Sequence, residues 1–68
     1  MRVVRRVLES GTVLELTLEP LPGERVRVVA YRRKRPGERW VTDKREAGRT
    51  YAWAQLGMGQ DFASVFGS

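Results

Sequence analysis

The side chains most able to do chemistry lie between positions 25 and 45, where Arg25, Arg27, Arg32, Arg33, Lys34, Arg35, Arg39, Lys44 and Arg45 accompany Tyr31 and Trp40. Guanidinium groups neutralise phosphates and release counterions, and an exposed ring stacks on an unpaired base for about 1–3 kcal/mol with little regard to sequence. Cations interleaved with rings therefore point to nucleic acid. Four of these cations, Arg32-Arg33-Lys34-Arg35, are consecutive at a hairpin tip, where they repel one another and serve no purpose in the fold. A projecting basic hairpin can follow a phosphate backbone or enter a groove.

The whole charge excess comes from this segment. Residues 1–24 carry three Arg and four Glu, for −1, residues 50–68 carry only Asp61, also −1, and residues 25–49 carry ten basic and three acidic groups, for +7, which together make the net +5. A concentrated field of one sign attracts a polyanion. Arg outnumbers Lys eleven to two, which suits bidentate phosphate contacts, although a GC-rich genome produces the same bias.

Enzymatic chemistry has little to work with. The chain contains no His and no Cys, the usual general base and the strongest neutral-pH nucleophile. Ser10, Ser64 and Ser68 have no evident activating partner, and Glu15 and Glu19 fall on the wet face of a strand, where solvation is the default. No cofactor motif and no metal-ligand spacing is present, so the expectation is a non-enzymatic protein without cofactor or metal.

The elements that must hold the basic segment read as strands. Arg2–Glu9 forms a first strand ended by Ser10-Gly11. From Thr12 to Glu19, Leu14, Leu16 and Leu18 alternate with Val13, Glu15, Thr17 and Glu19 at the period of a half-buried strand. Pro20-Leu21-Pro22-Gly23 is expected to end that ladder, since two of its residues lack an amide donor. The third strand, Glu24 to about Arg33, puts Val26, Val28 and Ala30 on one face and Arg25, Arg27, Val29, Tyr31 and Arg33 on the other.

Lys34-Arg35-Pro36-Gly37-Glu38 predicts a type II turn leading to a fourth strand, Arg39–Arg45. Arg49–Leu56 suits a fifth strand, with Tyr51 and Trp53 on one side, or a helix. After Gly57-Met58-Gly59, Asp61 is placed to cap a helical turn in which Phe62, Val65 and Phe66 share a face. The fold class predicted for 1–68 is a single, mainly β domain: a small antiparallel meander of four or five strands, either a curved sheet or an SH3-like, partly open barrel, with a short C-terminal helical turn.

A chain of 68 residues buries little surface, and without disulfide or metal the remaining aid to stability is self-association. A homo-oligomer is therefore expected, with Phe62 and Phe66 docked on the sheet or at a subunit interface. The start Met1-Arg2-Val3-Val4-Arg5-Arg6 has no apolar run of signal-peptide or membrane-span length, so a cytoplasmic protein with no membrane partner is expected. Gln55, Met58 and Phe62 loosely resemble a sliding-clamp-binding peptide, but Asp61 occupies one of its aromatic positions. At the level of fold alone, size, basicity and an aromatic-bearing sheet are similar to small SH3-like chromatin proteins and to the four-stranded single-strand-binding coactivator fold.

The resulting expectation is nucleic-acid binding, DNA or RNA, through phosphate backbone or single strands with little sequence specificity. Arg25, Arg27, Arg33, Lys34, Arg35 and Arg39 are the candidate phosphate ligands and Tyr31 the candidate stacking ring, while Trp40 is assigned to the core. A rival of another class is a protein-interaction module, such as a phage- or plasmid-type regulator or assembly subunit that binds an acidic protein surface.

Overall fold

The leucines of the second strand set the plan. In the computed structural model, which describes residues 1–67, Leu16 and Leu18 are buried in strand β2 (Val13–Leu21) and Leu14 packs beside them, while Glu15, Thr17 and Glu19 take the opposite face. Ser68 lies outside the described residues.

On one side β2 pairs with β1 (Arg2–Val7), in register from Arg2 opposite Leu18 to Val7 opposite Val13. The turn at Ser10-Gly11 forms as expected: the Gly11 amide donates to the Leu8 carbonyl, the Leu8 amide donates to the Thr12 carbonyl, both at 2.9 Å, and Gly11 has φ +87°. A Cβ on Gly11 would stand 3.1 Å from Pro36 Cγ, so this loop abuts the next basic turn at one end of the sheet.

On its other side β2 pairs with β3 (Arg25–Lys34). Contrary to expectation, the ladder continues through Pro20, which sits opposite Val26. The pairing of β1 ends at Leu18, so beyond that point β2 has an open side on which a missing amide costs nothing.

A bulge in β3 changes which side chains share a face. Thr17 pairs with Ala30 and the adjacent Leu18 with Val28, so Val29 is one residue too many. Below the bulge the alternation is the predicted one, with Val26 and Val28 inward and Arg25 and Arg27 exposed. Above it the phase reverses. Tyr31 now stands opposite Leu16 and packs against the core, Arg33 stands opposite Leu14, and Arg32 takes the outer face opposite Glu15. Ala30, expected inward, is exposed.

The predicted fourth and fifth strands form one interrupted line along the far edge of β3. β4 (Val41–Thr42) pairs with Arg33 and Arg32, and β5 (Thr50–Ala52) with Arg27, Val26 and Arg25. Strand Arg39–Arg45 is cut short because the Asp43 carboxylate accepts the Arg45 amide at 3.0 Å and starts a 3-10 turn at Lys44–Glu46. The chain rejoins the edge through Gly48 N–H to Val28 O and Val28 N–H to Arg49 O, each 2.8 Å. Arg49–Leu56 divides between the two readings of the sequence: β5, then a second 3-10 turn at Trp53–Leu56.

The sheet is antiparallel and open, not closed into a barrel. Its inner face is covered by Trp53, buried at 6% exposure, and by helix α1 (Phe62–Phe66). Phe62 and Phe66 meet the Trp53 ring edge-on, with centroids at 6.4 and 5.5 Å, and the indole N–H donates to Gln60 O at 2.6 Å. The two phenylalanines thus serve the core of their own subunit. Asp61 precedes α1 without the expected side-chain cap; its carbonyl instead accepts the Ser64 and Val65 amides.

Candidate nucleic-acid interface

Extents of 38 × 23 × 17 Å make the molecule long enough for its two ends to differ. The predicted phosphate ligands divide between them. Arg25 and Arg27 stand at the base, where Arg25 donates to Thr50 Oγ1 at 3.0 Å and Arg27 pairs with Glu19 at 3.3 Å. Arg33 lies eight positions along the strand, roughly 25 Å away at the usual rise, with Lys34, Arg35 and Arg39 beyond it.

The tip is built by the turn the sequence predicts. The Glu38 amide donates to the Arg35 carbonyl at 3.0 Å, with Pro36 and a positive-φ Gly37 (+75°) between them. This reversal presents Arg35 and Arg39 on either side of a tight loop. Arg33, Arg35, Arg39 and Val41 line a shallow depression with Glu38, and Arg33 also borders an adjoining one with Lys44 and Arg45.

The ends also differ in neutralisation. Salt bridges among the described residues engage Arg5, Arg27, Arg32, Arg45 and Arg49 but none of Arg33, Lys34, Arg35 and Arg39. Residues 33–39 thus hold four cations against Glu38, a local +3. Nearby, Asp43 has its pKa lowered first by the Arg45 amide and then by the Arg45 side chain, with Arg33 adding a smaller attraction, so it stays ionised and tied to the local turn.

The aromatic assignments exchange places. Tyr31, expected to stack, is held against the core by the reversed phase above Val29, whereas Trp40, expected in the core, is 36% exposed. Trp40 precedes the short β4, one residue past the Arg33–Val41 pair and so level with Lys34. The Arg32 guanidinium carbon lies 4.2 Å from its ring centroid.

Arg32 is itself fixed. Its Nε donates to Glu15 Oε1 at 2.6 Å while Arg5 Nε donates to Oε2 at 2.7 Å, so one carboxylate bridges β1 and β3 across β2. Those two hydrogen bonds, Arg32 first, hold the Glu15 pKa below the ordinary carboxylate value. The unbroken series Arg5, Glu15, Arg32, Trp40 was not legible beforehand, because it depends on cross-strand register and on the bulge.

No protein-family model, no curated protein and no solved structure matches this chain. Among the described residues no three Asp or Glu side chains group as metal ligands would, and no helix is long and apolar enough to cross a membrane.

Proposed function

We propose that this chain is a non-enzymatic nucleic-acid-binding domain that grips phosphates at the tip of the β3–β4 hairpin with little sequence preference. The observation that carries the reading is the set Arg33, Lys34, Arg35 and Arg39, four cations without a salt-bridge partner among the described residues, gathered around one turn. Cations that folding leaves outside salt bridges are available to neutralise a polyanion, and their clustering multiplies the local field. Arg25 and Arg27 take a minor part, because one is hydrogen-bonded to Thr50 and the other ion-paired to Glu19.

The test is titration of labelled single-stranded DNA, duplex DNA and RNA at several salt concentrations. Four phosphate contacts give a log–log slope of about −3 to −4. No binding of any of the three at low salt overturns the reading and leaves an acidic protein surface as the partner to test.

A further inference from the structure

We infer that Trp40 is a stacking platform for one unpaired base, so that the ligand of the tip is single-stranded nucleic acid in preference to duplex; this rests on the phosphate-binding role of the tip proposed above. Two observations carry it.

The ring is exposed and nevertheless braced. Of the two tryptophans, Trp53 is enclosed by Phe62 and Phe66, whereas Trp40 keeps 36% of its surface in solvent. An exposed indole on a flexible segment loses freedom when it stacks, which erodes affinity. Trp40 has already lost much of that freedom: Arg32 supports one face at 4.2 Å, and Arg32 is locked by Glu15, whose other oxygen is locked by Arg5. Arg32 and Glu15 are positioning residues for the platform, not ligands in themselves. A guanidinium behind the ring leaves the other face for a base, which can stack there without hydrogen-bond readout.

The ring is also placed where a phosphate chain would bring a base. Lys34 lies level with it across the hairpin, on the face that Arg32 takes, while Arg39, its neighbour in the chain, lines the depression with Arg33, Arg35 and Val41 on the other face. A strand that passes from that depression round the edge of the hairpin to Lys34 brings a base to the indole. Duplex bases are already stacked on one another and offer no free face. Covering apolar surface would explain why Arg32 lies on the ring, but not why a carboxylate exposed by only 11% is shared between two arginines to hold it there.

The test compares a single-stranded oligonucleotide and its duplex on the full chain, with Trp40→Ala and Trp40→Phe. The wild type is expected to bind the single strand more tightly. Trp40→Ala should weaken that binding by about 5- to 150-fold, the range for losing one stacked base, while changing duplex affinity less than about twofold. Trp40→Phe should recover part of the loss, and the salt slopes should stay unchanged, since no phosphate contact is removed. Indole emission of the wild type, which needs no variant to fold, should be quenched by the single strand and not by the duplex. Equal affinity for both forms with no quenching, or an equal loss for both in Trp40→Ala, overturns the platform while phosphate binding stands. No binding of either form overturns both.

Discussion

The two ends of β3 are built from the same kinds of residue and put to opposite use. At the base, Arg25 and Arg27 are tied to Thr50 and Glu19, and the nearby tryptophan is buried under two phenylalanines with its N–H satisfied. At the tip, Arg33, Lys34, Arg35 and Arg39 have no salt bridge among the described residues, and the tryptophan lies open on a guanidinium. Between them sits Val29, the extra residue that reverses the facing of everything beyond it. The base closes the core and the tip is left over from it, so stability and binding should separate along one strand.

The comparison breaks first if the two tryptophans prove equivalent. Trp53→Ala removes the centre of the core and should cost about 3–5 kcal/mol. A domain this small has little more than that in total, so the variant should be largely unfolded by circular dichroism at room temperature. Trp40→Ala loses a solvent-exposed cation–π contact and should cost about 1 kcal/mol or less in urea denaturation. Comparable losses would mean that the tip also holds the fold together.

Charge provides the next contrast. Arg33→Ala with Lys34→Ala and Arg35→Ala should make the salt slope of oligonucleotide binding shallower by about 2 to 3 units, with affinity falling accordingly. Arg25→Ala with Arg27→Ala should change the slope by less than about one unit, because those cations are already engaged within the fold. Both variants should melt cooperatively. A larger loss from the base pair than from the tip would reverse the assignment of the site.

A smaller effect separates Tyr31 from the interface. Half-buried against the core, it should lose about 1–3 kcal/mol of stability as Tyr31→Ala, while binding to oligonucleotides, measured where the variant is still folded, should remain within about twofold. The error in placing Tyr31 has a definite physical source. The leucine alternation of β2, the Ser10-Gly11 turn and the Pro36-Gly37 turn are each written in adjacent residues, and each appears where local chemistry puts it. A bulge is not local in this sense: Arg25 to Lys34 reads as unbroken alternation until β2 is laid beside it and Thr17 and Leu18 take Ala30 and Val28.

The same limit explains Trp40, Arg32 and Glu15. Large rings in small chains usually go inward, and Glu15 looks like any residue on the wet face of an amphipathic strand. Only the register of three strands brings Arg5, Glu15 and Arg32 together. The basic tip, by contrast, was legible in part: Arg33, Lys34 and Arg35 need no partner strand to be recognised, whereas Arg32, expected with them to serve no purpose in the fold, is tied to Glu15.

Protonating Glu15 acts at the junction of the two regions and has the mildest expected consequence. Its folded pKa lies below the ordinary value of 4.5, chiefly through the Arg32 hydrogen bond and then that of Arg5. The stability it contributes is therefore fully present above pH 4.5 and is lost as pH falls through the folded pKa. Wild type and Glu15→Gln should differ most in melting temperature near neutrality and converge at acid pH. Some acid sensitivity should survive in Glu15→Gln, because the lowered pKa of Asp43 is set independently by Arg45. In binding, the variant frees Arg5 and Arg32 and unfastens the ring at one stroke. Its preference for single strand over duplex should shrink while its salt slope becomes no shallower. A variant that keeps the wild-type preference would show that Trp40 holds its position without the carboxylate, reducing the cross-strand series to a stabilising contact of the outer face.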